Sequence, residues 1–376
     1  MVIRDLQELN KGGLHLQDAF FETEILPIYW FDSDDRRHKI AGQQTIIDKK
    51  ERRAISVVST SYQFIHNFDA YKLADSVIQR VFGGLTLKDF ECFNVYMPQS
   101  KGSCRIDLIL SSAKAIYPNL MDSWMPFIRI SNSYNKTLVL KYEIGFCRGI
   151  CLNGVIFDQR GITIRIPHSQ KVSMYHSVKR MIDDLKEVRG IQSLIDEFCD
   201  KINTLKSFEF PESIEFPETV VLPELIIFPI FFALAMYCKA FNIVVKHEEI
   251  YGTVEKEEAG GIVQKRVFTP KRIEQLTEDA RLIIDRAEQY FEEHGYNAYA
   301  IFNVLTDYAT YPVAYSRHSI YIHGHQKKVG NWADDFIAEI KKPDFSLDKY
   351  FGEDIMESAF VLESLIDKKP SIPYIY

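Results

Sequence analysis

FECFNVYM at Phe90–Met97, CRIDLIL at Cys104–Leu110, WMPFIRIS at Trp124–Ser131 and TLVLKYEIGF at Thr137–Phe146 are four apolar, β-branched and aromatic runs in close succession. Two of the connections between them, Pro98 to Gly102 and Asn132 to Lys136, are built from turn residues. Consecutive strands with short turns favour an antiparallel sheet, because parallel neighbours need a long crossover. One helix precedes them. Tyr71, Ala74, Val77, Ile78 and Val81 fall on one stripe of Asp69–Phe82, and Gly83-Gly84 ends it. A sheet with one packed helix predicts an α+β fold rather than a dinucleotide-binding layout.

Upstream, Ala54–Ser59 is a further strand-like run, which Tyr62–Ile65 extends. Residues 1–53 read as an irregular, helix-poor leader with a basic end. Arg36, Arg37, Lys39, Lys49, Lys50, Arg52 and Arg53 stand there against Asp48 and Glu51. Such a stretch is either a solvated arm or a set of phosphate contacts. Downstream of His168 the period changes to three and four. Met174, Val178, Met181, Leu185, Val188, Leu194, Phe198, Ile202 and Leu205 predict one long helix, or two broken at Gly190. A prolyl linker over residues 207–224 repeats Glu-Phe-Pro-Glu at Glu209 and Glu215 and serves as a connector or a docking peptide.

Leu225–Cys238 (LIIFPIFFALAMYC) carries no charge, but it is too short for a membrane span and predicts a buried helix. Residues 247–268 form a charged loop or hairpin around Gly260-Gly261. Thr269-Pro270 then opens a helix that runs to His294 and stops at Gly295. A further helix covers Tyr296–Tyr308, and amphipathic segments lie at Trp332–Ile340 and Ile355–Ile366. The predicted organisation is a basic leader over 1–53, an α+β sheet domain over 54–170 and a mainly helical region over 171–376.

The chain has 376 residues, 46% of them hydrophobic and 26% charged, which excludes wholesale disorder. Its formal net charge of −7 argues against a uniformly basic coat. The charge is uneven: residues 1–170 hold 21 Lys and Arg against 18 Asp and Glu, and the remainder 24 against 34. A phosphate-binding surface therefore belongs in the first half. The six cysteines read as reduced thiols of a cytoplasmic protein, since Met1 to Lys11 has no secretory apolar core. Cys147-x3-Cys151 lacks the spacing and the second pair of a zinc ribbon. His318, His323 and His325 read as a polar turn around Gly324. No Walker A loop, nucleophile elbow, zincin helix or dinucleotide fingerprint is found, so no catalytic residue, cofactor or metal is expected.

The stretch Ser131-Asn132-Ser133-Tyr134-Asn135-Lys136, followed by Gly145-Phe146-Cys147-Arg148-Gly149-Ile150-Cys151-Leu152-Asn153-Gly154, resembles the DUF932 group of phage- and plasmid-type proteins. Ser61-Tyr62 through Asn67 looks like that group's opening motif, and Tyr299 to Leu305 like its late helix. Arg317 and His318 follow that helix, whereas Thr306-Asp307-Tyr308 departs from the group's pattern. The resemblance covers roughly residues 54–320 and implies a mobile-element setting in company with DNA-processing or defence genes. It brings no established enzymatic activity. Cys151, Asn153 and Gly154 are its signature residues. Asn153-Gly154 reads as a turn pair, with Arg148 either holding that turn or contacting a ligand or phosphate.

Three functions follow from these readings. The first is a non-enzymatic, nucleic-acid-associated protein of a mobile element, an accessory in DNA processing or recombination. Its contacts would be the seven basic residues with Arg129 and Arg148, and Phe90, Phe93, Tyr96, Trp124 and Phe127 would offer stacking to single strands. The second is a protein-binding module, such as an inhibitor of a host defence enzyme or a subunit of a larger assembly, suggested by the acidic second half. The third is an enzyme with a dispersed site. A membrane partner is not expected, and a homo-oligomer is left open.

Overall fold

Alternation along the four central runs sorts their side chains onto two sheet faces. The computed structural model describes residues 14–117, 120, 123–149, 153–157, 163–166, 168, 189–212, 228–251, 255–258, 261–264, 268–311 and 319–367. It has antiparallel sheets in the first half and helices in the second, an α+β arrangement as the runs and periods predict. The chain divides into two units, Met1–Leu152 with Asp158–Cys199, and Asn153–Phe157 with Asp200–Tyr376.

In the first unit β4 (Glu91–Tyr96), β5 (Ser103–Ile109), β6 (Trp124–Ser133) and β7 (Leu140–Arg148) are antiparallel neighbours in that order, and β9 (Thr163–Ile166) also pairs with β7. Ile106 and Leu108, Ile128 and Ile130, Tyr142 and Ile144 lie on one face by register. Helix α1 (Asn67–Val81) packs on that face and buries Leu73, Ala74, Val77 and Ile78. The Tyr142 hydroxyl donates to the Ala70 carbonyl at 2.8 Å. Burying each such aliphatic chain contributes roughly 1.5–3 kcal/mol. Gly83, at φ +63°, takes the left-handed step just beyond the helix end.

The expected irregular leader is corrected by the structure. β1 (Thr23–Phe31), β2 (Arg37–Asp48) and β3 (Arg53–Ser59) form a three-stranded antiparallel sheet within the first unit. Ile46 and Val58 bury against Tyr134, with Phe21, Ile55, Tyr62 and Phe64 around them. The strand signal was hidden because much of β1 and β2 is exposed on both faces, so no apolar period of two marks it.

Helix α2 (Ile191–Ser207) starts just after Gly190, and its apolar stripe is buried. Phe198 lies flat on Phe146 at 4.2 Å and edge-on to Trp124 at 5.2 Å. That packing is why the first unit reaches Cys199, where the sequence ended the sheet domain at 170. The period over 174–188 lies outside the described residues, as do 213–224 of the prolyl linker.

The second unit is built on α3 (Phe228–Phe241), where Phe231 to Cys238 is fully buried. It packs on α4 (Pro270–His294), α5 (Ala298–Thr310), α6 (Ser319–Ile340) and α7 (Leu347–Asp367). The predicted caps are present. Thr269 Oγ1 accepts from the Arg272 amide, Pro270 occupies the first turn, and Gly295 has φ +80°. Asn297 caps α5 through the Ala300 amide at 3.0 Å. The expected polar turn around Gly324 is corrected: His323, Gly324 and His325 sit inside α6. Its buried positions Ile322, Gln326, Val329, Ala333, Phe336 and Ile337 keep helical spacing straight through the glycine. His318 and Arg317 lie outside the described residues. The charged loop holds one helical turn, His247–Tyr251, and a hairpin of β10 (Glu255–Glu258) with β11 (Gly261–Gln264). Among the described residues no helix is long and apolar enough to cross a membrane.

Candidate functional site

β3 pairs only with the Gln43–Asp48 part of β2, so the distal part of the β1–β2 hairpin is a two-stranded ribbon. Its register places three aromatic side chains of β1 opposite three basic ones of β2: Tyr29 with Lys39, Trp30 with His38 and Phe31 with Arg37. The Arg37 guanidinium lies 3.4 Å from the Tyr29 ring centroid. His38 stacks on Trp30 at 4.6 Å and 22°. Trp30 and Phe31 are nonetheless 51% and 62% exposed. A bulge between Pro27 and Tyr29, with Gly42 at φ +75°, bends the ribbon at its base.

Asp32 builds the apex. Its Oδ1 accepts from the amides of Asp34 and Arg36 at 3.0 and 2.9 Å, and its Oδ2 meets His38 Nε2 at 2.7 Å. The His38 contact and then the Arg36 amide hold the Asp32 carboxyl below its usual range. The apex acids Asp32, Asp34 and Asp35 match Arg36, Arg37 and Lys39 in number, and Arg36 stands 3.8 Å from Asp34 on the surface, so the apex carries no excess of positive charge.

Lys49, Lys50, Arg52 and Arg53 sit at the other end of β2, in and beside the turn into β3. Lys49 pairs with Glu22 at 3.1 Å and Arg53 with Glu51 at 3.3 Å, both on the surface. The buried Asp48 carboxylate organises this turn, accepting from the amides of Lys50 and Glu51 at 2.9 Å each and from Lys101 Nζ at 2.6 Å. Burial opposes the Asp48 charge, but Lys101 and the amides outweigh it and hold the carboxyl below its usual range. A groove of about 840 Å³ beside the turn has a lining of mixed charge, with Lys49, Lys50 and Lys101 facing Asp18, Glu22 and Glu51.

Arg129 is not on a surface. It is 1% exposed and binds Asp107 twice, through Nε at 2.6 Å and a terminal nitrogen at 2.5 Å. Burial works against its charge, yet the adjoining Asp107 carboxylate raises its pKa. By register Asp107, Arg129 and Glu143 form one row across β5, β6 and β7, with Arg105, Ser131 and Lys141 in the next. This is the sheet face opposite α1, where Arg129 pairs with Asp107 and Lys141 with Glu143 inside the protein. Arg148 is buried at the end of β7, so neither arginine presents itself to a phosphate. The expected stacking surface is corrected too: Phe90, Phe93, Trp124 and Phe127 are core residues, and Phe93 meets Phe127 edge-on at 5.8 Å. Alternation on these strands marked packing rather than a platform.

The residues that carry the family resemblance gather in two buried polar clusters. In the first unit the Tyr62 hydroxyl donates to the Ser133 carbonyl at 2.7 Å, the Asn132 amide to Asn67 Oδ1 at 2.9 Å, and the Asn67 backbone to the Tyr134 hydroxyl at 2.9 Å. In the second unit Asn153 donates to the Tyr290 hydroxyl at 3.2 Å, which donates to Asp307 at 2.9 Å. The Gly154 amide donates to Thr310 Oγ1 at 3.0 Å, and Gly154 opens the short strand β8 (Gly154–Val155) rather than serving as one half of a turn pair. Asn153 and Gly154 thus hold the chain against α4 and α5. Cys151 lies outside the described residues. Among the described residues no cluster of His, Cys, Asp and Glu could hold a metal ion.

Sequence reasoning found the cations of the ribbon but missed Tyr29, Trp30 and Phe31. The available signal was the YWF triplet itself, separated from the Arg36-Arg37-His38-Lys39 run by the four residues of an Asp-Ser-Asp-Asp turn. Comparison with protein-family models, with curated proteins and with solved structures finds no match for this chain.

Proposed function

We propose that the protein is a non-enzymatic, nucleic-acid-associated protein of the mobile-element setting that its resemblance to the DUF932 group implies, acting in the cytoplasm, and that its β1–β2 ribbon holds single strands. The observation that carries this reading is the register that sets the exposed rings of Trp30 and Phe31, and the half-buried Tyr29, against His38, Arg37 and Lys39. Aromatic faces take bases of any sequence, at roughly 1–3 kcal/mol per stacked base, and neighbouring cations take the phosphates. The two strands of the ribbon lie about 4.8 Å apart, so a base on one and its phosphate on the other are within reach of one nucleotide.

Trp30 reports directly on this. Of the three tryptophans, Trp124 and Trp332 are buried. Titration with an oligothymidylate at low salt is expected to quench Trp30 emission. Trp30→Ala is expected to weaken binding about tenfold, the equivalent of about 1.4 kcal/mol. An emission spectrum unmoved by saturating oligonucleotide would refute the reading.

A protein partner is the second reading. Exposed Trp, Tyr and Arg are the residue types that anchor protein interfaces, and the balanced charge of the apex suits it. The two readings separate by salt: phosphate binding weakens steeply with ionic strength, and a hot spot centred on Trp30 and Phe31 does not.

A further inference from the structure

The seven exposed cations do not form one patch; they stand at the two ends of β2, and β1 provides a ruler between them. Arg37 lies opposite Phe31, and the Lys49 amide donates to the Glu22 carbonyl at 3.0 Å. Nine residue steps of β1 at about 3.3 Å separate these points, a span of about 30 Å. We propose, building on the single-strand reading above, that the ligand is an extended single strand laid lengthwise along β2. Its phosphates would be held at one end by Arg36, Arg37 and Lys39 and at the other by Lys49, Lys50, Arg52 and Arg53. At about 3.4 Å per nucleotide, the rise of stacked bases, the span corresponds to at most about nine nucleotides, and to fewer for a more extended strand.

The stretch between the two ends suits a strand in transit. Ile40 to Ile47 of β2 contains no charged residue, and Glu24 is the single carboxylate on β1. Ala41, Gly42 and Gln43 are exposed. At the far end the Glu22 partner of Lys49 is a surface carboxylate, and such a pair exchanges for a phosphate at little cost, while Arg53 keeps the Gln99 carbonyl as a further partner and Glu51 keeps Lys101. Lys50 and Arg52 are exposed as well. The two ends act together only on a strand long enough to reach both, so affinity is set by length and not by base sequence.

Binding of the whole chain to fluorescein-labelled oligothymidylates of four and twelve residues, followed by anisotropy over a range of salt, tests this. The twelve-residue strand is expected to bind at least tenfold tighter. Its slope of log affinity on log salt should be about −5, against about −2 for the four-residue strand, which engages one end. The Lys49, Lys50, Arg52 and Arg53→Ala variant should bring the affinity and slope of the long strand down to those of the short one. Equal affinity for the two lengths, or an unchanged slope in that variant, overturns the lengthwise path and leaves the ribbon as the binding element. Failure of both strands to bind overturns the single-strand reading and this inference with it.

Discussion

The distal ribbon and the charged face of the central sheet hold the same kinds of residue and treat them in opposite ways. On the ribbon, Arg36, Arg37 and Lys39 face solvent beside exposed rings. On the sheet, Arg129 lies in register between Asp107 and Glu143, Arg105 and Lys141 flank them in the neighbouring row with Ser131, and all three are shielded. Where a cation sits in sequence therefore says little about what it can touch. The surroundings decide: burial with carboxylates in the same or the next row makes such a cation structural, while exposure on a two-stranded ribbon leaves it available.

The widest separation between the two regions should appear on truncation. Arg129→Ala leaves Asp107 buried without the guanidinium that binds it twice, and such a loss costs about 3–5 kcal/mol. Arg37→Ala removes one exposed cation–π contact, worth about 0.5–1 kcal/mol. Denaturant midpoints of the two variants measure the contrast. Equal losses would mean that Arg129 is no more structural than Arg37.

His325 extends the comparison to protonation in a buried site. It lies on Tyr308 at 5.7 Å and against Phe241, and burial, with Lys328 nearby, pushes its pKa down to about 4. Between about pH 6.5 and pH 4 the unfolded chain binds this proton and the folded one does not. Stability contributed by the neutral ring is complete above that window, falls as pH falls through it and is lost below about pH 4, a change of up to about 3 kcal/mol. His325→Phe keeps the ring contacts and should flatten that part of the stability–pH curve. A curve of unchanged slope would show that His325 does not carry it.

Glycines sharpen the same contrast at smaller scale. A Cβ on Gly330 would stand 2.2 Å from the Ile156 carbonyl oxygen, a backbone atom that cannot step aside cheaply. Gly330→Ala should cost about 1–3 kcal/mol or more despite the better helix propensity of alanine. Gly42 in the ribbon meets nothing within 4 Å, so alanine there pays only for its φ of +75°, about 1–2 kcal/mol. Thermal midpoints of the two variants check the order.

The antiparallel sheet, α1, α3 and the caps of α4 were legible because apolar periods and cap residues act locally. The three-stranded sheet was not, since exposure on both faces erases the alternation that announces a strand. Gly324 misled because a turn and a helix share its composition, and only the buried stripe from Ile322 to Ile337 tells them apart. At the candidate site the seven cations could be read but their separation could not, because it depends on the register of β1 with β2. Arg129 was read as available because strand pairing with Asp107 is invisible until the turns fix which residues face each other.

The central claim is that the ribbon binds through exposed side chains that the fold does not need. The variant Arg36, Arg37 and Lys39→Ala tests it with one sample and two readouts, the denaturant midpoint and the affinity for a twelve-residue oligothymidylate at low salt. Stability should fall by no more than about 0.5 kcal/mol each for Arg36 and Lys39 and about 1 kcal/mol for Arg37, while affinity falls at least tenfold and the salt slope flattens by about 2. Binding as tight and as salt-sensitive as that of the parent would contradict the account.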